Sequence, residues 1–191
     1  MRIQFKISPV SVATIKEFKM ILQGKNIRLR LVTIEDADFI LHLRIDENKS
    51  KYLSKVENDI AKQKSWIANY KIREAERHEF YFIIESNRDE SLGTVRIYDL
   101  QEDSFCWGSW LMRDEAPFSA AIETALLIYE FGFNTLNYRH SHFDVNKKNL
   151  KVIKFHKNFG ALEVGQDDEN LYLTLSLQQY QLMKEKYRRF I

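Results

Sequence analysis

The chain has 191 residues, of which 45% are hydrophobic and 29% charged, and its formal net charge is +2. This balance predicts one globular domain with a core of its own, and the small net charge argues against a general nucleic-acid-binding protein. A lone cysteine, Cys106, excludes an internal disulfide and is typical of a reducing compartment. No apolar run reaches the roughly 18 residues of a membrane span, so we predict a cytoplasmic protein without a membrane or nucleic-acid partner.

The N-terminal segment differs from the rest of the chain. Residues 1–24 show no clear period and contain Pro9 and Gly24, so we expect an extension of uncertain order, or a start site placed too far upstream. No internal repeat or low-complexity tract divides the remainder. We therefore expect residues 25–191 to form a single domain.

A strand and a capped helix open this domain. Residues 27–32 alternate apolar side chains with arginines, which predicts a half-buried strand. Thr33 and Asp36 form an approximate capping box, which starts a helix that runs to about Arg44. Arg44 continues the apolar stripe of the helix, and an inward arginine requires an anionic partner. Two interpretations stay open: an internal ion pair, for example with Asp46, or a contact with substrate.

The remaining elements mix strands and helices. We predict a polar loop at 46–58, a helix at 60–77, strands at 80–85, 92–98 and 105–112, a long helix at 118–134, a strand at 139–145, a helix at 149–159, strands at 162–164 and 171–177, and a basic closing helix. This order of about seven strands predicts an α+β fold around a mixed, mostly antiparallel twisted sheet flanked by helices. Because a long helix connects strands 105–112 and 139–145, we expect these two strands to be parallel neighbours.

The loop before the long helix is a candidate anion site. The first backbone N–H groups of a helix have no intrahelical partner, and the helix dipole adds a partial positive charge there. Ser119, Ala120 and Ala121 are small enough for a phosphate to approach, and Arg113 lies at the end of the preceding strand. The alternative is a helix start that is merely capped.

Histidines near this loop are candidate proton carriers. His156 lies on the inner stripe of the helix at 149–159, where it is either a satisfied core histidine or a proton donor to a leaving group. His140, His142 and Asp144 share one face of a strand. Zinc requires a further ligand and a recognisable spacing, so we predict no metal. His142 or Asp144 is a candidate proton acceptor, and plain solvated polarity is the alternative.

The block from Tyr129 to Val145, followed by Asn149 and the run 152–160, resembles the GCN5-related N-acetyltransferase (GNAT) superfamily. The resemblance covers about residues 25–178. It implies a GNAT-like fold that binds acetyl-CoA at the loop and helix start after a bulged strand, where the parallel strand pair splays. The run 107–109, with Gly108 inside a strand, is the natural place for this bulge.

Two positions depart from the family pattern. Pro117 and Ser119 stand where the family's pyrophosphate loop has glycines, and His156 stands where the family often has a tyrosine that protonates the departing thiolate. A histidine supplies the same proton. With the strand backbone near Leu111 polarising the thioester carbonyl, the resemblance implies an acyl-CoA site formed by Leu111, Arg113, Phe118, Ser119, Ala120, Ala121 and Asn149. It implies catalysis by His156 and His142, and acceptor binding by Arg44 and Trp107.

The run 43–46 resembles enzymes that acetylate nucleotide-linked amino sugars and, less closely, those that acetylate the N-termini of ribosomal proteins. We therefore expect an N-acetyltransferase that moves an acetyl group from acetyl-CoA to a primary amine, first of all an amino sugar of a nucleotide-linked precursor for surface polysaccharide. A protein N-terminal acetyltransferase and a catalytically inert acyl-CoA-binding module are the alternatives, and the missing loop glycines favour the latter. A small-molecule amine is the expected partner, and a homodimer stays open.

Overall fold

A computed structural model describes residues 20–190. The strands are β1 (Ile21–Gln23), β2 (Ile27–Leu31), β3 (Phe80–Ser86), β4 (Ser91–Tyr98), β5 (Ser104–Met112), β6 (His140–Asn146), β7 (Leu162–Gln166) and β8 (Asn170–Ser176). The helices are α1 (Ala37–Ile45), α2 (Glu47–Ser50), α3 (Ile60–Ala75), α4 (Phe118–Glu130), α5 (Leu150–Asn158) and α6 (Leu177–Lys186). The predicted α+β class is confirmed. Within residues 20–190, no helix has the length and apolar character needed to cross a membrane.

All eight strands belong to one sheet with the order β1-β2-β3-β4-β5-β6-β8-β7. Every neighbouring pair is antiparallel except β5 and β6, which are parallel as predicted. The strand that the sequence did not predict is β1, which pairs with β2 from Ile21 opposite Arg30 to Gln23 opposite Arg28. The last part of the expected extension 1–24 therefore belongs to the sheet, whereas residues 1–19 lie outside the described part of the chain.

Two predicted segments have different boundaries. The expected loop at 46–58 contains the short helix α2, because the Asp46 carboxylate accepts hydrogen bonds from the backbone N–H of Asn48 at 2.9 Å and of Lys49 at 3.3 Å. The long helix predicted at 118–134 is regular through Glu130 and continues as a π-helical turn, Phe131–Thr135. The hydrophobic pattern alone does not distinguish these two helical forms.

Helices cover both faces of the sheet. The larger core lies between the sheet and α4, and it includes the fully buried Phe82, Phe105 and Tyr129. The smaller core lies under α1 and α3, where Ile40 and Ile67 pack with other apolar side chains. The two cores are therefore separate, one for each set of helices.

Charged side chains under the first helix are paired. The predicted capping box is present, with Asp36 accepting from the Thr33 backbone N–H at 2.7 Å. Arg30 donates to both oxygens of Asp36 at 2.7 Å and to Glu85 at 2.7 Å. Arg28 donates to the other oxygen of Glu85 at 2.8 Å. Since Glu85 is only 4% exposed, the two guanidinium groups offset the cost of burying its charge.

A substitution at Gly132 tests how tightly the π-helical turn after α4 packs on β5. A β-carbon at Gly132 would lie 2.1 Å from the Phe105 ring, and that ring is hemmed in by Phe133 and Tyr138. We expect Gly132→Ala to lower the free energy of unfolding by about 1–3 kcal/mol, as for an overpacked core, in urea denaturation. Gly165→Ala is the matched control, because its β-carbon meets only Tyr172 at 3.6 Å. Equal stability of the two variants would contradict this packing.

Candidate active site

Strand β5 carries the predicted bulge. Thr94 pairs with Leu111 and Arg96 pairs with Gly108, so β5 has one residue more than β4 between these pairs. Ser109 has φ 48°, in the left-handed region, and its carbonyl accepts a hydrogen bond from the Thr94 hydroxyl at 3.1 Å. The bulge turns the end of β5 away from the line of the sheet.

Strands β5 and β6 separate soon after they meet. Their pairing consists of Ser104 with His140 and Phe105 with Ser141. Three aromatic side chains, Trp107, Phe143 and His156, which we call the aromatic wedge, pack together at this gap. The His156 ring lies 4.2 Å from Phe143 and 5.1 Å from Trp107, and these last two are 6.4 Å apart. The predicted splaying of the parallel pair is therefore present.

A cavity of about 340 Å³ lies in this gap, and we call it the first cavity. Of the predicted site residues, Arg44, Trp107, Asn149 and His156 line it. They come from α1, β5 and both ends of α5, which are far apart in the sequence. Asn149 also caps α5, since its side-chain oxygen accepts from the Val152 backbone N–H at 3.4 Å. Of the predicted residues, the fold therefore brings together one cation, one aromatic wall and one titratable imidazole.

His156 is the most deeply buried titratable group of this cavity. It is 4% exposed, and its Nδ1 is shielded and has no partner among the described residues. Burial lowers the pKa of His156 to about 3, so the imidazole is neutral at physiological pH. Because Nδ1 is shielded, a ligand in the cavity reaches His156 through Nε2.

Arg44 has no carboxylate partner among residues 20–190. Its Nη2 donates to the Ser54 carbonyl at 2.6 Å and to the Ser54 hydroxyl at 2.9 Å, while Nε is shielded and unpaired. The ion pair with Asp46 that the sequence left open is not formed, because Asp46 caps α2 and contacts Lys49. Burial lowers the pKa of Arg44.

His142 does not line the cavity, contrary to expectation. Its Nδ1 lies 2.9 Å from the Ser104 hydroxyl and its Nε2 lies 2.9 Å from Asp99. Both ring nitrogens are engaged on the opposite side of β6 from Phe143. The other predicted proton acceptor, Asp144, does line the cavity.

The predicted anion site lies where β5 ends, outside the first cavity. Helix α4 begins after Pro117 without any capping side chain, so its first-turn N–H groups lack side-chain partners. Ser119 is partly exposed and Phe118 is 77% exposed. The other members of this set are placed as follows: Ala121 is partly exposed, Ala120 is buried, Arg113 is exposed and contacts Glu115 at 3.3 Å, and Leu111 is buried and pairs with Thr94.

Several cavity residues had not been predicted. Tyr52, Ser54, Arg96 and Tyr98 all line the first cavity. Arg96 was open to prediction, since it is a charged residue inside an apolar strand. The contact of the Tyr52 hydroxyl with the Lys148 carbonyl at 3.1 Å crosses 96 positions of sequence, and no local pattern indicates it.

Neither metal chemistry nor thiol chemistry has the residues it needs in the described part of the chain. Among the described residues, no group of three or more histidine, cysteine, aspartate or glutamate side chains is arranged to hold a metal ion. Cys106 is buried and unpaired, and burial raises its pKa to about 12. Its thiol therefore stays protonated and is a poor nucleophile.

Comparison with known proteins identifies the class. The family model described as "Acetyltransferase (GNAT) domain" matches residues 26–162. The chain belongs to the GNAT family of acetyltransferases, and it is an acyltransferase enzyme. No curated protein matches it at a significant level.

Solved structures agree with this assignment. A structure described as apo FdhC, a nucleotide-linked sugar GNAT, is 45% identical, with 90% of this chain and 98% of that chain covered and a TM-score of 0.82. A GCN5-related N-acetyltransferase from Brucella melitensis is 14% identical over 91% of this chain and 86% of its own, with a TM-score of 0.74. Spermidine N-acetyltransferase from Vibrio cholerae, in complex with CoA and spermine, is 16% identical over 82% and 98%, with a TM-score of 0.70. The last two show the shared fold.

The buried neutral imidazole predicts a pH dependence of stability. The pKa of His156 falls from 6.5 to about 3 on folding, so the unfolded chain binds the proton more tightly. Stability is therefore lost as the pH falls below 6.5, by about 1 kcal/mol per pH unit. We expect urea denaturation between pH 7 and 5 to show this extra slope in the wild type relative to His156→Gln. Parallel pH profiles for the two proteins would contradict the neutral state.

Proposed function

We propose that this enzyme transfers an acetyl group from acetyl-CoA to the amine of a nucleotide-linked amino sugar, as in a precursor of surface polysaccharide. The observation that carries the proposal is the first cavity, which holds an imidazole and, at Arg44, a guanidinium that has no carboxylate partner among residues 20–190, next to a bulged strand. The 45% identity to a nucleotide-linked sugar GNAT supports this choice of acceptor.

The acyl donor spans the open end of the parallel pair. The uncapped start of α4 offers N–H groups and the positive end of a 13-residue helix to the pyrophosphate of CoA. Ser119, Ala120 and Ala121 allow close approach despite the absence of glycine, and Arg113 and Phe118 flank the site. The pantetheine arm then enters the gap between β5 and β6, where backbone groups lack a sheet partner, and Asn149 borders its path.

The reaction takes place at the inner end of this gap. The acceptor nitrogen attacks the thioester carbonyl, and the carbon–sulfur bond breaks to release the CoA thiolate. A backbone N–H of the bulged strand near Leu111 polarises the carbonyl, and Trp107 forms the wall against which the acceptor lies. Positioning of the two substrates supplies most of the remaining acceleration.

Protons balance through two side chains in this proposal. Asp144 takes the first proton from the acceptor ammonium, which frees the nitrogen to attack. The neutral His156 then takes the proton that the nitrogen loses on bond formation and passes it to the thiolate through Nε2. His156 keeps the role of donor to sulfur that its sequence position predicts, but it begins the cycle unprotonated. This scheme replaces His142, which lies outside the cavity, as the base.

Other acceptors and an inert binding module are distinguished by one assay. Release of free thiol from acetyl-CoA is followed with nucleotide-linked amino sugars, spermidine and N-terminal peptides as acceptors. We expect release with the first class. Preference for peptides would establish a protein N-terminal acetyltransferase instead. Tight CoA binding without release on any amine would establish the inert module, which Pro117 and Ser119 favour.

Replacement of His156 tests proton transfer. We expect His156→Phe to lower kcat by about 100-fold, in the range of lost general acid–base catalysis, and to change the KM for acetyl-CoA much less. His142→Phe is the matched control, because His142 does not line the cavity, and it should retain kcat within about threefold. Unchanged kcat in His156→Phe would overturn the assignment.

Replacement of Ser119 tests the pyrophosphate site. A glutamate at the start of α4 places a negative charge where the pyrophosphate binds, so we expect Ser119→Glu to weaken CoA binding at least tenfold in calorimetry. Ser119→Ala keeps the backbone donors and should bind CoA within about threefold of wild type. Equal affinity of Ser119→Glu and wild type would show that the pyrophosphate binds elsewhere.

A further inference from the structure

A second cavity, of about 310 Å³, lies beside the first. Arg44, Ser54, Arg96 and Ser109 line both cavities, so the two share a wall that includes the bulge of β5. The function proposed above gives the first cavity to the thioester and the reacting amine. It leaves the second cavity without a role.

The second cavity is cationic. Arg44, Lys55 and Arg96 line it, and no aspartate or glutamate is among its described lining residues. Glu79 contacts Arg96, with Nε at 2.7 Å, but it also binds Arg73. One carboxylate does not cancel two guanidinium charges. The wall of this cavity therefore carries an excess of positive charge.

Arg44 differs from the other partly buried arginines in residues 20–190. Arg28 and Arg30 share Glu85, and Arg73 and Arg96 share Glu79. Arg44 donates only to Ser54. A guanidinium taken partly out of water without a carboxylate costs free energy, and an anionic ligand would offset that cost with charge-assisted hydrogen bonds.

We propose that the second cavity binds the diphosphate of the acceptor, with Arg44 and Lys55 contacting the phosphoryl oxygens. This inference rests on the proposed function and names the part of the acceptor that the enzyme recognises. The shared wall at Ser109 is where the acceptor passes from its anionic part to the amine in the first cavity. A polyamine lacks the anion and is repelled by the same charges.

Binding of inorganic pyrophosphate tests the subsite without turnover. The protein is first saturated with CoA, so that the site at α4 is filled, and pyrophosphate is then titrated by calorimetry. We expect Arg44→Gln to weaken pyrophosphate binding at least tenfold and Lys55→Gln to weaken it less. Arg88→Gln, which removes an exposed arginine at a distant turn, should bind as wild type does. Absence of binding to the wild type, or equal binding to Arg44→Gln, would overturn the proposal.

Kinetics provide the second arm. For a nucleotide-linked amino sugar, we expect Arg44→Gln to raise KM at least tenfold with kcat within about threefold. For the corresponding free amino sugar we expect KM not to rise, because the variant removes a charge that repels the ammonium. If Arg44→Gln folds poorly, the same KM measurements are made on Arg44→Lys and on Lys55→Gln, which alters an exposed residue. If the wild type acetylates free and nucleotide-linked amino sugars equally well, the proposed diphosphate subsite is wrong, whereas the proposed acetyltransferase activity is supported. If no amine is acetylated, the proposed function fails, and the pyrophosphate titration still decides the subsite.

Discussion

Two residue pairs hold β5 and β6 together, and beyond them the strands part. Backbone N–H and C=O groups along this gap lack the ladder that satisfies them elsewhere in the sheet, and they require another partner. The bulge at Ser109 turns β5 away, the aromatic wedge fills the base of the gap, and seven antiparallel pairs hold β6 to β8 on the other side. Contacts on both β5 and β6 thus keep the cleft open. A ligand with amide groups of its own matches the backbone N–H and C=O groups that the two strands do not use to pair with each other.

The same region contains most of the polar groups that the fold itself satisfies least well. Among the described residues, the shielded side-chain atoms without a hydrogen-bond partner are His156 Nδ1, Arg44 Nε, the indole nitrogens of Trp107 and Trp110, and the hydroxyls of Tyr129 and Ser141. Each such group costs of the order of 1–3 kcal/mol relative to a satisfied one. Buried charges far from the cleft are paired instead, as Glu85 is with two arginines. Four of these six residues line the first cavity, which is the pattern expected where ligand binding, rather than stability, determines the residues.

Elements that follow from local pattern were predictable from the sequence. Four predicted features are confirmed: the capping box of Thr33 and Asp36, the bulge in β5, the parallel pairing of β5 with β6, and the long apolar helix. Strand β1 was not predictable, because three residues carry no period and form a strand only by pairing with the free edge of β2. The site was harder still. Strand periodicity predicts which face of β6 carries His142, but it does not show that this side chain lies outside the cavity. The hydrogen bond from Tyr52 to the Lys148 carbonyl depends on tertiary structure alone.

The wall that the two cavities share makes the charge of the acceptor important for its binding and reaction. An amine arrives as an ammonium ion, and a wall that carries Arg44 and Arg96 repels it. On the proposed assignment, a diphosphate bound at Arg44 neutralises that repulsion in the act of binding. It also fixes the amine near the thioester. The binding free energy of contacts remote from the reacting atoms thereby offsets the entropic cost of bringing the two reactants together. A free amine of the same structure would meet the repulsion without the tether. Selection for a linked acceptor then follows from the placement of one unpaired arginine between two cavities.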